Sequence, residues 1–329
     1  MLQLAFTATD LANIRLAFSP LWEVVASVRV LKCPDRHQFH QSWAERARCR
    51  LADAGLDWRL LSGLVPAAAT TLPGFLSPPP PVPSPNLELE LAALQATAPG
   101  EISKALSSLP EPTCAALTML RRDPAGGLAE LTKVIRAYWE VALAPCWPRM
   151  LSALESDVLY RARVLANAGV QGLLADLDPK VRWLEESHTL QVQTQHFAGS
   201  VDLGGRGLLL VPSVFAWPKI FAKLSLPWQP TLRYPPRGIG ELWQPSTASP
   251  PVALSAVLGR SRTRLLAELR LPTTTSDLAV RTGLTSGGVS QHLKVLRGAG
   301  LVNAHRAGRY VLYVRTRLAH SLFSDTSDP

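Results

Sequence analysis

The stretch Thr275-Ser276-Asp277-Leu278-Ala279-Val280-Arg281-Thr282-Gly283-Leu284-Thr285-Ser286-Gly287-Gly288-Val289-Ser290-Gln291-His292-Leu293-Lys294-Val295-Leu296-Arg297 holds two short helices and the bend between them. Thr275 to Thr282 reads as a helix that Gly283 closes at the C-cap, where a left-handed backbone costs glycine nothing. Leu284-Thr285 makes the turn. From Ser286 the next helix keeps Val289, Leu293 and Leu296 at i, i+4 and i+7 for a core, leaving Ser290, Gln291, Lys294 and Arg297 on the opposite side. The pattern is a helix-turn-helix with a polar, basic outer face.

Working outward, Ser261 to Arg270 reads as a preceding helix with Leu265, Leu266 and Leu269 inward, ended by Pro272. Downstream, Gly300-Leu301-Val302 opens an alternating run. His305-Arg306-Ala307-Gly308-Arg309 is then a basic turn ahead of Tyr310-Val311-Leu312-Tyr313-Val314, which predicts a β-hairpin wing. The charge is concentrated in this region. The 329 residues carry 34 Lys plus Arg against 25 Asp plus Glu, a net +9. Val252 to Ser324 alone holds eleven of the basic residues against only Glu268 and Asp277, so the remainder of the chain is nearly neutral. A basic module of this kind is the electrostatic footprint of a polyanion partner.

The run Leu278 to Thr285, the segment Val289-Ser290-Gln291-His292-Leu293-Lys294-Val295-Leu296-Arg297, then Ala299-Gly300-Leu301-Val302 and Gly308-Arg309, resemble the ArsR-type winged helix-turn-helix regulators. The likeness covers roughly residues 253 to 320. The N-terminal region is similar to the poorly characterised extension that precedes such modules in some bacterial regulators. The resemblance implies a transcriptional regulator, repressing by occlusion, whose helix from Ser286 enters the major groove of double-stranded DNA. Ser286, Ser290 and Gln291 are expected on base edges, because short polar side chains early on the helix reach them. Lys294, Arg297, Arg306 and Arg309 are expected mainly on phosphates. A homodimer is expected, since one module makes too few base contacts for useful specificity. Metal-sensing members carry cysteines where this chain reads Thr273-Thr274-Thr275-Ser276-Asp277-Leu278, so capture of a soft metal there is not expected. Gly287-Gly288 in the first turn of the helix costs about 1 kcal/mol per glycine against alanine. The pair is expected either to let the backbone approach a phosphate or to mark an end that orders on DNA.

Length and composition set the frame for the rest. A 329-residue chain implies two domains, and 47% hydrophobic with 18% charged residues excludes wholesale disorder. The expected division is 1–245, a linker at 246–251 with Pro, Ser and Thr composition, and 252–329 as the DNA-binding domain. In the first part, Ser19-Pro20 has the N-cap and first-turn signature of a helix running to about Leu31. Helical periodicity recurs at Gln41 to Ala54, Leu128 to Leu143 and Met150 to Leu177. Ser77 to Pro85 packs six prolines and must be an extended loop. Thr189 to Gln193, Gly207 to Pro212 and Thr231 to Tyr234 read as strands. The predicted class is therefore mainly α with a small antiparallel sheet near 189–234 (α+β), followed by a winged helix-turn-helix.

Met1 to Phe6 has no basic segment ahead of its apolar residues, and Asp10 follows closely, so a signal peptide is not expected; the longest uncharged stretch, Leu60 to Leu87, is broken by prolines and cannot run as a spanning helix. A cytoplasmic location with reduced cysteines is the corresponding expectation. Cys33, His37 and His40 form C-x3-H-x2-H, a set whose ligand types suit zinc; the spacing is not that of a standard structural site, and no metal is expected. Gly204-Gly205-Arg206-Gly207 lacks the lysine and hydroxyl residue of a phosphate loop and reads as a tight turn. No catalytic set or cofactor fingerprint can be assembled from spacing, so neither enzyme nor cofactor is expected. A small organic effector held among the aromatics of residues 1–245 is the expected control. An enzyme or an interaction scaffold with an appended winged module is the alternative.

Overall fold

The computed structural model describes residues 1–66, 72–107, 109, 115–194, 198–226, 228–243, 252–269, 272–307 and 310–324. Its contacts separate into two units, Met1–Met150 with Asp157–Trp243, and Leu151–Ser156 with Gln244–Pro329. The linker predicted at 246–251 lies outside the described residues.

In the first unit eight strands are described: β1 (Leu2–Ala5), β2 (Arg15–Leu16), β3 (Val181–Leu184), β4 (Thr189–Val192), β5 (Gly199–Asp202), β6 (Leu209–Pro212), β7 (Phe221–Lys223) and β8 (Thr231–Tyr234). They form two sheets ordered β3-β4-β1-β5 and β2-β6-β8-β7. The single small antiparallel sheet predicted from sequence is thereby corrected. β1 is antiparallel to β4 and parallel to β5, and β6 is parallel to both β2 and β8. The cause is at the N-terminus. Leu2 and Leu4 alternate into the core and place residues 2–5 between strands nearly 190 positions away, a partnership no local pattern announces.

The helix Pro20–Lys32 begins as its sequence predicts, with Ser19 Oγ accepting the Trp22 N–H at 3.0 Å and Pro20 in the first turn. Eleven of its thirteen residues are buried, so it runs through the interior rather than along a surface. Its buried Glu23 accepts the Val214 and Phe215 N–H groups at 2.7 and 3.2 Å, which fixes the helix to the turn after β6. Further helices are Gln41–Asp53, Leu87–Gln95 and Pro124–Tyr138, the last continuing as a π turn over Trp139–Leu143. The long helix Trp147–Ala175 is interrupted at Gly169, whose φ of 66° no helical residue adopts. The glycine-rich turn behaves as predicted. Gly207 has φ 70°, and a Cβ there would sit 2.3 Å from the Asn13 carbonyl oxygen, so only glycine fits.

The second unit contains helices Val252–Leu258, Arg260–Glu268, Thr275–Thr282, Ser286–Gly298 and Arg317–Ser324, with strands β9 (Thr273–Thr274), β10 (Val302–Ala307) and β11 (Tyr310–Arg315) in the order β10-β11-β9. This is a winged helix-turn-helix. Leu265, Leu266, Leu269, Leu278, Val289, Leu293, Leu296, Leu301 and Val302 form one buried cluster. Each such aliphatic side chain contributes about 1.5 to 3 kcal/mol on burial. Three elements escaped the sequence reading: the helix Val252–Leu258, the short β9 and the terminal helix Arg317–Ser324.

Candidate nucleic-acid interface

The recognition element is built from its caps. Thr274 opens the first helix of the motif by accepting the Asp277 N–H at 3.2 Å, and Gly283 ends it in the left-handed region at φ 67°. Thr285 then caps the next helix, its Oγ1 accepting the Gly288 N–H at 3.2 Å. Burial of Val289, Leu293 and Leu296 fixes the rotation of Ser286–Gly298. That rotation leaves Ser286, Ser290, Gln291, Lys294 and Arg297 exposed, as the sequence pattern requires. Ser286, Ser290, Lys294 and Arg297 fall at i, i+4, i+8 and i+11 along one stripe, with Gln291 at its edge. Thirteen residues give a rod of about 20 Å, and a major groove admits a single α-helix.

The wing is the hairpin of β10 and β11, paired from Val302↔Arg315 to Ala307↔Tyr310. Arg306 is exposed on β10 opposite Val311. Arg309 lies outside the described residues. One cation counted in the basic footprint faces inward instead. Arg315 is only 7% exposed, donates to the Leu266 carbonyl and, at 2.6 Å, to the Ala267 carbonyl, and so caps the end of Arg260–Glu268. The exposed Arg260 and Arg264 on the preceding helix add cations to the same unit that the sequence reading gave no specific role.

Among the described residues no group of three or more His, Cys, Asp or Glu side chains is placed to hold a metal ion, so Cys33, His37 and His40 do not converge. His40 is buried and its Nδ1 accepts the Trp243 indole N–H at 2.9 Å, which leaves the proton on Nε2. Burial, with His37 nearby, pushes its pKa down to about 3. The ring packs 5.0 Å from Phe215 as a member of an aromatic cluster.

Residues 263–304 match the family described as "Bacterial regulatory protein, arsR family", and residues 103–239 match a "Family of unknown function (DUF5937)". No curated protein and no solved structure matches the chain. The fold and the family match of residues 263–304 together define a winged helix-turn-helix DNA-binding transcription regulator. Its DNA-binding domain belongs to the ArsR family and follows a DUF5937 domain whose function the match does not state. Among the described residues no helix is long and apolar enough to cross a membrane.

Proposed function

We propose that this protein is a cytoplasmic, homodimeric repressor whose DNA affinity is set by a small molecule bound in the first unit. The observation that carries the DNA-reading part is the exposed stripe on Ser286–Gly298 above buried Val289, Leu293 and Leu296. In this reading Ser286, Ser290 and Gln291 meet base edges, while Lys294, Arg297, Arg306 and Arg309 hold phosphates. Dimerisation finds support in the terminal helix. Leu318 and Leu322, one turn apart, are 58% and 39% exposed, an apolar pair that a second copy would cover. Two modules related by a dyad then read half-sites about one helical turn apart.

Selection of tight binders from random duplexes with the full chain, followed by titration against salt, tests this. The expected product is a dyad-symmetric sequence, bound with an affinity that falls steeply and log-linearly with salt, and occlusion of a promoter placed over it in transcription in vitro. Recovery of no common sequence, or binding indifferent to salt, overturns the reading.

A further inference from the structure

A cavity of about 470 Å³ opens in the first unit between the buried helix Pro20–Lys32 and the second sheet. Its apolar wall includes Trp22, Phe221 and Ile220, and its cations are Arg29, Lys223 and Arg233. Secondary structure puts them together. Trp22 and Arg29 are seven residues apart, two turns along one face of the helix. Phe221 and Lys223 alternate on β7, and Arg233 of β8 is the cross-strand partner of Phe221. The Arg233 guanidinium lies 4.5 Å from the centroid of the Phe221 ring, and that of Arg29 lies 5.9 Å from it.

Arg233 is the residue that does not balance. It is 6% exposed, its Nε is buried without a hydrogen-bond partner, and its guanidinium makes no hydrogen bond to any described residue. Buried guanidinium groups in native proteins have acceptors, because an unmatched buried charge costs several kcal/mol. The nearby carboxylate, Glu23, is already engaged by the Val214 and Phe215 N–H groups. Burial pulls Arg233 down to about 10 and Glu23 up to about 7, so neither group fully relieves the other, and Arg29 adds like charge. Lys223 spends two donors on the Gly74 and Ser77 carbonyls at 2.8 and 2.6 Å, and burial pulls it down to about 8 against the counter-effect of Glu101. Among the described residues no further acceptor reaches Arg233, which leaves the cavity side of its guanidinium open to an anion. A cavity of this size takes a drug-sized molecule, and its aromatic walls suit an apolar body behind the charged head.

We infer that this cavity binds a small organic anion, a carboxylate or phosphate group joined to an aromatic or aliphatic body, with Arg233 as its principal partner and Arg29 and Lys223 beside it. That this anion is also the effector rests on the proposed control of DNA binding by the first unit.

The probes are 1-naphthoate and 1-naphthyl phosphate, with neutral 1-naphthalenemethanol as the comparison, each titrated into the full chain by calorimetry and thermal shift. At least one anion is expected to bind tenfold or more tightly than the alcohol and to raise the melting temperature. Which anion wins separates a carboxylate head from a phosphate head. Arg233→Met is expected to lose at least tenfold in anion affinity, with Arg233→Lys retaining most of it. Should Arg233→Met not fold, Lys223→Met gives the same comparison with a smaller loss. Equal binding of alcohol and anions, or no anion binding at millimolar concentration, overturns the site. Anion binding that leaves DNA affinity unchanged keeps the site and overturns its effector role. Failure of the chain to bind DNA without any probe overturns the regulator reading and leaves the anion site standing.

Discussion

The two units use cations in opposite ways. In the C-terminal unit Lys294, Arg297 and Arg306 stand in solvent on the recognition helix and wing. In the N-terminal unit Arg233 is almost fully buried, and it meets Arg29 and Lys223 on the wall of a cavity. Exposed cations along a rod suit a polymer whose charges repeat outside the protein, whereas one buried and two half-buried cations converging on a cavity suit one small ligand. Placement, more than number, separates the two. The contrast also carries a physical signature. Counterion release makes the first interaction fall steeply with salt, and a desolvated pocket is screened far less.

The largest expected effect comes from the buried polar groups of the N-terminal unit. Glu90 is buried, accepts the Leu21 N–H at 2.8 Å and a hydrogen bond from Ser19 Oγ, and is pushed up to about 7 by burial. Between its unfolded pKa and 7 the folded state therefore holds a proton that the unfolded state has released. The contribution of Glu90 is fully present below about pH 4.5 and is lost as pH rises through 7, a change of about 3 kcal/mol. His40 works in the other direction, since its depressed pKa adds stability as pH rises toward about 6.5. Comparison of wild type with Glu90→Gln by denaturant unfolding at pH 5 and pH 8 isolates the carboxylate. The variant should gain on wild type at the higher pH, and a difference independent of pH would remove the effect.

Within the C-terminal unit the comparison sharpens to two kinds of contact. Gln291→Ala should weaken binding to the selected operator by about 1 to 3 kcal/mol while leaving random DNA unaffected. Equal loss on both would move Gln291 out of base readout. Arg306→Ala should weaken all sequences alike and make the slope of log affinity against log salt shallower by about one unit, the mark of one lost phosphate contact. An unchanged slope would place Arg306 away from the DNA backbone.

The two units also differ in how far their sequences disclose them. The helix-turn-helix was legible because its determinants are local: Gly283 ends one helix, Thr285 starts the next, and the spacing of Val289, Leu293 and Leu296 fixes the exposed face. The start at Ser19-Pro20 and the strand Thr231–Tyr234 were legible for the same reason. β1 and β2 were not, since a four-residue and a two-residue strand gain their identity from partners far along the chain. The cavity was invisible for a related reason. Arg29, Lys223 and Arg233 lie on three elements, and an arginine in a short strand reads as a solvent-facing residue until the pairing with Phe221 is known. The inward role of Arg315 likewise depends on where the Arg260–Glu268 helix ends in space.

The smallest expected effect decides why the recognition helix carries glycine in its first turn. Ser286–Gly298 is helical from its first residue, and a Cβ added at Gly287 meets nothing within 4 Å. Nothing inside the protein therefore demands glycine, and Gly287→Ala should raise stability by about 0.5 to 1 kcal/mol through helix propensity alone. The N-terminal residues of a recognition helix lie nearest the duplex, and the N–H groups of its first turn form an anion site that a phosphate can approach. Close approach has no room for a methyl group. Gly287→Ala should accordingly lower DNA affinity by about 1 kcal/mol, equally on all sequences, because the phosphate contact carries no base information. Had the glycines served instead to keep this end unformed until DNA arrives, alanine would pre-order the helix and affinity would rise. The sign of the change in affinity, measured beside the gain in stability, separates the two.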